Sequence, residues 1–184
     1  MNTNQDIIHH LIDISTRQIE VAESRFLKLT SKQIEQASPQ NGWSIGQCFA
    51  HLNTYSQHYI PLLEATIKKN KDGVHTSFGS GWLGKVFINT VKPDNQKKFR
   101  AAKKHIPVSN SDGRAELEAF ISYSKRLNAC LLSSIEKDLN RNRIPISLAR
   151  MITMKLGDTY QFIIEHNQRH INQALKNLEI VSES

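Results

Sequence analysis

Four long stretches of the chain repeat apolar residues at intervals of three and four, the period of an α-helix with one buried face. The first covers roughly residues 4–29, through Ile8, Leu11, Ile12, Ile19, Ala22 and Phe26. The second covers roughly 44–70, where Ile45, Cys48, Phe49, Leu52, Tyr55, Tyr59, Leu62 and Leu63 follow one another at helical spacing. The third runs over about 111–140, with Leu117, Phe120, Ile121, Leu127, Leu131, Ile135 and Leu139. The fourth runs over about 157–178, with Tyr160, Ile163, Ile164, Ile171, Leu175 and Leu178. No stretch alternates convincingly with the period of a strand. The pattern predicts an all-α chain: an antiparallel four-helix bundle with a long crossover between the second and third helices. A chain of 184 residues suits one domain, here taken as 1–184, and buries a core without disulfides or a structural metal.

Local punctuation supports these boundaries. "SPQNGWSIGQ" supplies Pro, Asn and Gly as breakers, then Ser44 and Gln47 at the spacing of a capping box. Trp43 stands just outside, where a hydrophobic staple would place it. A further helix start is expected near Ser111. Pro61 falls late in the second helix and should kink or thin it. The stretch from about 71 to 110 is the least regular, with room for one short helix inside a long connection. "RNRIPIS" reads as a second irregular link before the last helix.

Composition excludes several classes. Cys48 and Cys130 fall inside apolar helical patterns, without a CxxC or a framework spacing, and read as buried thiols in a reducing compartment. The opening "MNTNQDIIHHLIDIS" lacks the basic start and apolar block of a signal peptide. No apolar run approaches the ~20 residues that span a bilayer, so a soluble cytoplasmic protein without a membrane partner is expected. The net charge is +7, densest in residues 92–105, "KPDNQKKFRAAKKH", with six Lys or Arg around one Phe. No nucleic-acid motif accompanies that run, and few aromatics are available for stacking. It reads as a solvated or substrate-attracting surface, with no specific nucleic-acid partner expected.

The chemistry-bearing residues are histidines. In "IIEHNQRHINQ", His166 and His170 are four apart, about 40° and roughly 6 Å from one another on a helix, so both imidazoles can reach one ion. The pair borders the apolar stripe, although spacing alone also allows a surface or hydrogen-bonded pair. In "CFAHLNTYSQHYI", His51 borders the buried stripe of the second helix and is a candidate third ligand. His58, seven residues on, lies some 10 Å further along the axis and is a pocket wall, a support to the ligands or simple core edge. Tyr55, one turn after His51, and Gln173, on the face of His166, are candidates for the pocket or for hydrogen bonds to the ligands. Glu165 lies about 100° round from His166 and should face away. No catalytic acid or base is readable.

"NGWSIGQCFAHL", followed much later by "LGDTYQFIIEHNQRHINQ", resembles the DinB-like family of four-helix-bundle proteins. The shared features are a Trp-Ser helix start, a His-Leu about seven residues on, and a His-x-x-x-His in the last helix. The resemblance covers essentially the whole chain to about Leu178. It implies that His51, His166 and His170 form a triad for a divalent ion such as zinc or nickel, with solvent in the remaining positions. It also implies a small-molecule S-transferase using a low-molecular-weight thiol such as bacillithiol or mycothiol, or a neighbouring hydrolase, in a homodimer. The alternative from a different class is a non-catalytic metal-binding or damage-response-associated protein. The chain carries no polymerase-like acidic metal motif.

Overall fold

Most of the helices start where the chain supplies a partner for their first free N–H groups. In the computed structural model, which describes residues 3–37, 42–69, 77–95, 97, 99–108 and 111–182, helix α1 (Asn4–Val21) opens on a capping box. The Asp6 N–H donates to Thr3 Oγ1 at 3.1 Å, and the Thr3 N–H donates to the Asp6 carboxylate at 2.8 Å. A π-helical turn, Ala22–Phe26, follows α1, and a short helix α2 (Ser31–Glu35) begins at a second capping box on Thr30 and Gln33. The box expected at Ser44 is present. The Gln47 N–H donates to Ser44 Oγ at 3.1 Å and the Ser44 N–H to Gln47 Oε1 at 3.0 Å, opening α3 (Ile45–Lys69). Pro61 does not end α3. Both Pro61 and Gln57, whose carbonyl loses its helical donor there, are exposed, so solvent satisfies the vacancy.

The long connection holds one short helix, α4 (Trp82–Val91), and a 3-10 turn at Lys103–His105. Asp112 caps α5 (Gly113–Leu132), accepting from the N–H groups of Arg114 and Ala115. α6 spans Leu156–Ser182. The breakers at 38–41, residues 70–76 of the connection, and positions 96 and 98 of the basic run lie outside the described residues.

Two expectations need correction. The third periodic stretch stops being helical at Leu132, not near 140; Ser133–Glu136 form turns that carry Ile135 and lead to the buried Leu139. The all-α reading also fails locally. "RIPI" is strand β1 (Arg143–Ile146), paired antiparallel with β2 (Ala149–Lys155) in a two-stranded sheet. Ile144 and Ile146 are buried, as is Met154 opposite Ile144, and that alternation sets the pairing. The register slips between Pro145 and Ile146, where Pro145 pairs with Thr153 but Ile146 with Ala149. α3 fastens this hairpin: the Ser147 N–H donates to the Tyr59 hydroxyl at 3.1 Å, and His58 Nε2 donates to the Pro145 carbonyl at 3.1 Å.

α3 packs most extensively on α5 and α6, α1 lies across α5 and α6, and α4 rests on α6. α3 and α5 meet closely at their starts, where a Cβ on Gly46 would fall 2.6 Å from Gly113 Cα. The core forms two apolar clusters. One gathers Ile8, Leu63, Leu131, Ile144 and Tyr160, and the other Phe26, Phe49, Leu117, Phe120 and Ile171. Along α3 and α6, His51, His166 and His170 fall where one cluster gives way to the other. Among the described residues, no helix is long and apolar enough to cross a membrane.

Candidate metal centre

His51 comes from α3 and His166 and His170 from α6, one turn apart. Their packing brings one ligand nitrogen of each within 4.8 Å of the others, and His51 Nε2 and His166 Nε2 are 3.3 Å apart. His51 and His166 are buried and His170 is partly so.

Hydrogen bonds to the far side of two rings fix which nitrogen faces inward. His51 Nδ1 is 2.6 Å from the carbonyl of His105. A carbonyl can only accept, so Nδ1 carries the proton and Nε2 presents its lone pair. His170 Nδ1 donates to Gln173 Oε1 at 3.0 Å and likewise leaves Nε2 bare. Gln173 therefore orients the His170 ring.

Burial keeps these rings neutral. Desolvation lowers His51 to about 4 and His170 to about 3. It holds His166 well below the usual imidazole range, with the neighbouring His170 and His51 adding to the effect. Neutral, oriented imidazoles are the form that binds a metal. Two nitrogens each about 2.0–2.1 Å from a tetrahedral ion lie roughly 3.3 Å apart, which matches the His51–His166 separation. The residues present fit a divalent ion.

Aromatic rings hold the cluster in place. Trp43 stacks on His170 with centroids 5.8 Å apart and packs against His51 at 4.9 Å. Its neighbour Gly42 turns the chain at φ 75°, a conformation open to glycine, and the Trp43 carbonyl accepts from Asn177 Nδ2 at 2.7 Å. Phe162 stacks on His166 at 5.6 Å, and Tyr55 meets the same ring edge-on at 4.5 Å. Burial raises the Tyr55 phenol to about 12, so it remains a donor.

Sequence reasoning missed His105. Its ring stacks on Tyr55 at 3.8 Å. Thr54 Oγ1 donates to the His51 carbonyl, so His105 Nδ1 donates to Thr54 Oγ1 at 2.7 Å, and Nε2 then accepts from Ser147 Oγ at 2.9 Å. This one residue ties the connection, α3 and the hairpin together behind His51. Its only signal was an unremarked His at the end of a lysine run. His58 is elsewhere, committed to Pro145 and outside the cavity lining.

The three histidines sit in the wall of a cavity of about 830 Å³ that also takes in Trp43, Tyr55, Phe162 and Gln173. Glu165 does not line it, and neither does any other carboxylate among the described residues. Cys48, one turn before His51, is turned into the core, and burial raises its thiol to about 12; Cys130 is also free and buried.

A family model described as the DinB superfamily matches residues 14–174. No curated protein and no solved structure matches the chain. The family match takes in His51, His166, His170 and the helices that carry them, and covers well over half of the sequence: the chain belongs to the DinB superfamily.

Proposed function

We propose that this chain is a divalent-metal-dependent enzyme in which His51, His166 and His170 hold the ion, and that it transfers a small group to or from a low-molecular-weight thiol. The observation that carries this reading is the convergence of three neutral imidazole nitrogens in the wall of a cavity large enough for a small molecule. Zinc and nickel both suit an all-imidazole donor set. An ion with three protein ligands keeps an open side, where it acidifies a bound thiol or water and polarises an acceptor group.

The chain's own residues divide the remaining work. The His105 carbonyl and Gln173 hold two ligands in the tautomer and direction that bind. Trp43, Tyr55 and Phe162 exclude water around the rings. The Tyr55 hydroxyl has no partner among the described residues and can donate to an oxygen of a bound molecule. Transfer to a thiol is preferred over hydrolysis because no carboxylate among the described residues lines the cavity to serve as a general base for water. In this proposal α1, α3, α5 and α6 act as an antiparallel four-helix bundle, with the ion gripped between α3 and α6.

The test is metal analysis of the chelator-stripped protein after reloading with zinc or nickel, followed by a thiol-transfer screen with bacillithiol, mycothiol and simpler thiols. One ion per chain is expected, with any turnover lost on stripping and restored on reloading. His51→Ala, His166→Ala and His170→Ala should each lose the ion while keeping the helical circular dichroism. A His51→Ala protein that binds one tight ion like its parent would sink the assignment.

A further inference from the structure

Among the described residues, the cavity beside the histidines is lined by three cationic side chains, Arg100, Arg169 and Lys176, and by no acidic side chain. Arg169 is committed: its Nη1 donates to the carbonyls of Lys92 and Asn95 and its Nη2 to that of Lys97, which ties the connection to α6. A guanidinium that bonds only to neutral carbonyls keeps its full charge. Arg100 and Lys176 are exposed, with no hydrogen bond or ion pair to any described residue. Along α6, Phe162 precedes His166 and Lys176 follows His170, so the apolar part of the wall, where Phe87 packs on Phe162, and Lys176 lie on opposite sides of the histidines.

We infer that the molecule bound here is an amphiphilic anion: an acidic group held by Arg100 and Lys176, and an apolar body that passes the histidines toward the aromatic wall. The inference deepens the proposed function by naming a substrate class and rests on that reading for the role of the histidines. The physical reason is the one-sided charge. Three cations with no carboxylate beside them in the cavity lining, among the described residues, raise the local potential, and low-dielectric walls focus it into the cleft. The acidic group supplies the missing counter-charge. A carboxylate and a phosphate share this chemistry.

The test uses the metal-free chain, so that it does not depend on the ion. Binding of anilinonaphthalene sulfonate is compared with that of phenylnaphthylamine, the same ring system without the anion, by probe fluorescence. Exposed ion pairs contribute about 0.2–1 kcal/mol each, so the double variant Arg100→Gln/Lys176→Gln should bind the sulfonate probe roughly two- to thirtyfold more weakly than the parent. Its affinity for the neutral probe should stay the same. Neither side chain has a partner among the described residues, so the variant should fold. A variant-free arm is the salt dependence in the parent, where the preference for the sulfonate probe should shrink as ionic strength rises. Equal binding of the two probes by the parent, or a preference that survives in the double variant, overturns the inference. Repeating the titration with hexanoate and hexyl phosphate as competitors separates the two acid types. If zinc fails to bind while the anion preference holds, the metal reading falls and the pocket stands; zinc binding without the preference gives the reverse.

Discussion

His105 supports the proposed metal centre from behind, and in that proposal removing its ring should be felt at the ion. His105→Ala deletes two hydrogen bonds, to Thr54 at 2.7 Å and from Ser147 at 2.9 Å, and a ring stack on Tyr55 at 3.8 Å. At about 0.5–1.5 kcal/mol for each bond and a similar amount for the stack, the connection loses roughly 2–4 kcal/mol of docking. The backbone carbonyl of residue 105 remains in the variant but is no longer held against His51 Nδ1. Loss of such a hydrogen-bond partner behind a metal ligand typically costs 10–100-fold in affinity. The assay is competition for zinc against a chromophoric chelator, with urea denaturation alongside to measure stability separately. Expected is a fall in zinc affinity of about tenfold or more, with partial recovery in His105→Gln, whose amide can restore one of the two bonds. Parent-like zinc affinity in His105→Ala would show that the 3-10 turn alone places the carbonyl and would refute the reasoning.

Other predictions can be checked with standard measurements. Gly84→Ala puts a methyl group onto the buried carboxylate of Asp158, which accepts from Ser80 Oγ at 2.5 Å and the Gly81 N–H at 3.1 Å. Displacing it should cost about 3 kcal/mol, or about 10 °C of melting temperature, whereas Gly79→Ala, with open space around it, should melt like the parent. The metal-free chain should lose stability as pH falls. His51 and His105 are held at about 4, against 6.5 when exposed, so the unfolded chain binds more protons between these values; a urea midpoint unchanged from pH 7 to pH 4 would contradict this. Residues 92–105 should give only weak duplex DNA binding that salt abolishes, and sub-micromolar binding at physiological salt, lost on neutralising Lys97, Lys98, Lys103 and Lys104, would overturn that expectation. Sedimentation at micromolar concentration is expected to show a homodimer, with a species of 21.0 kDa alone counting against it.

The helices were legible because their signals are local. Ser44 and Gln47 cap within four residues, and the stripe from Ile45 to Leu63 needs no distant contact to be read. The pair His166 and His170 was legible for the same reason. His51 was readable only as a residue bordering a buried stripe, and family resemblance supplied its link to α6. The hairpin escaped because its first strand has four residues, includes a proline and slips in register. Its buried face depends on Tyr59 and His58, which lie 88 and 87 residues earlier than the groups they hold. His105 was hidden by its neighbours. A run of lysines announces solvent, and nothing local shows that the next ring is buried between Thr54 and Ser147.

The two cysteines bear on how this protein can be assayed. Cys48 and Cys130 are 0% and 4% exposed, and burial raises their thiols to about 12 and about 11. The folded chain should therefore be nearly silent toward colorimetric thiol reagents at neutral pH, since thiolate is the reacting form and reagent access is closed. Consumption of an added small thiol can then be followed in the same cuvette with little protein background. A slow release of two further equivalents would time the opening of the core around Phe49 and Leu131.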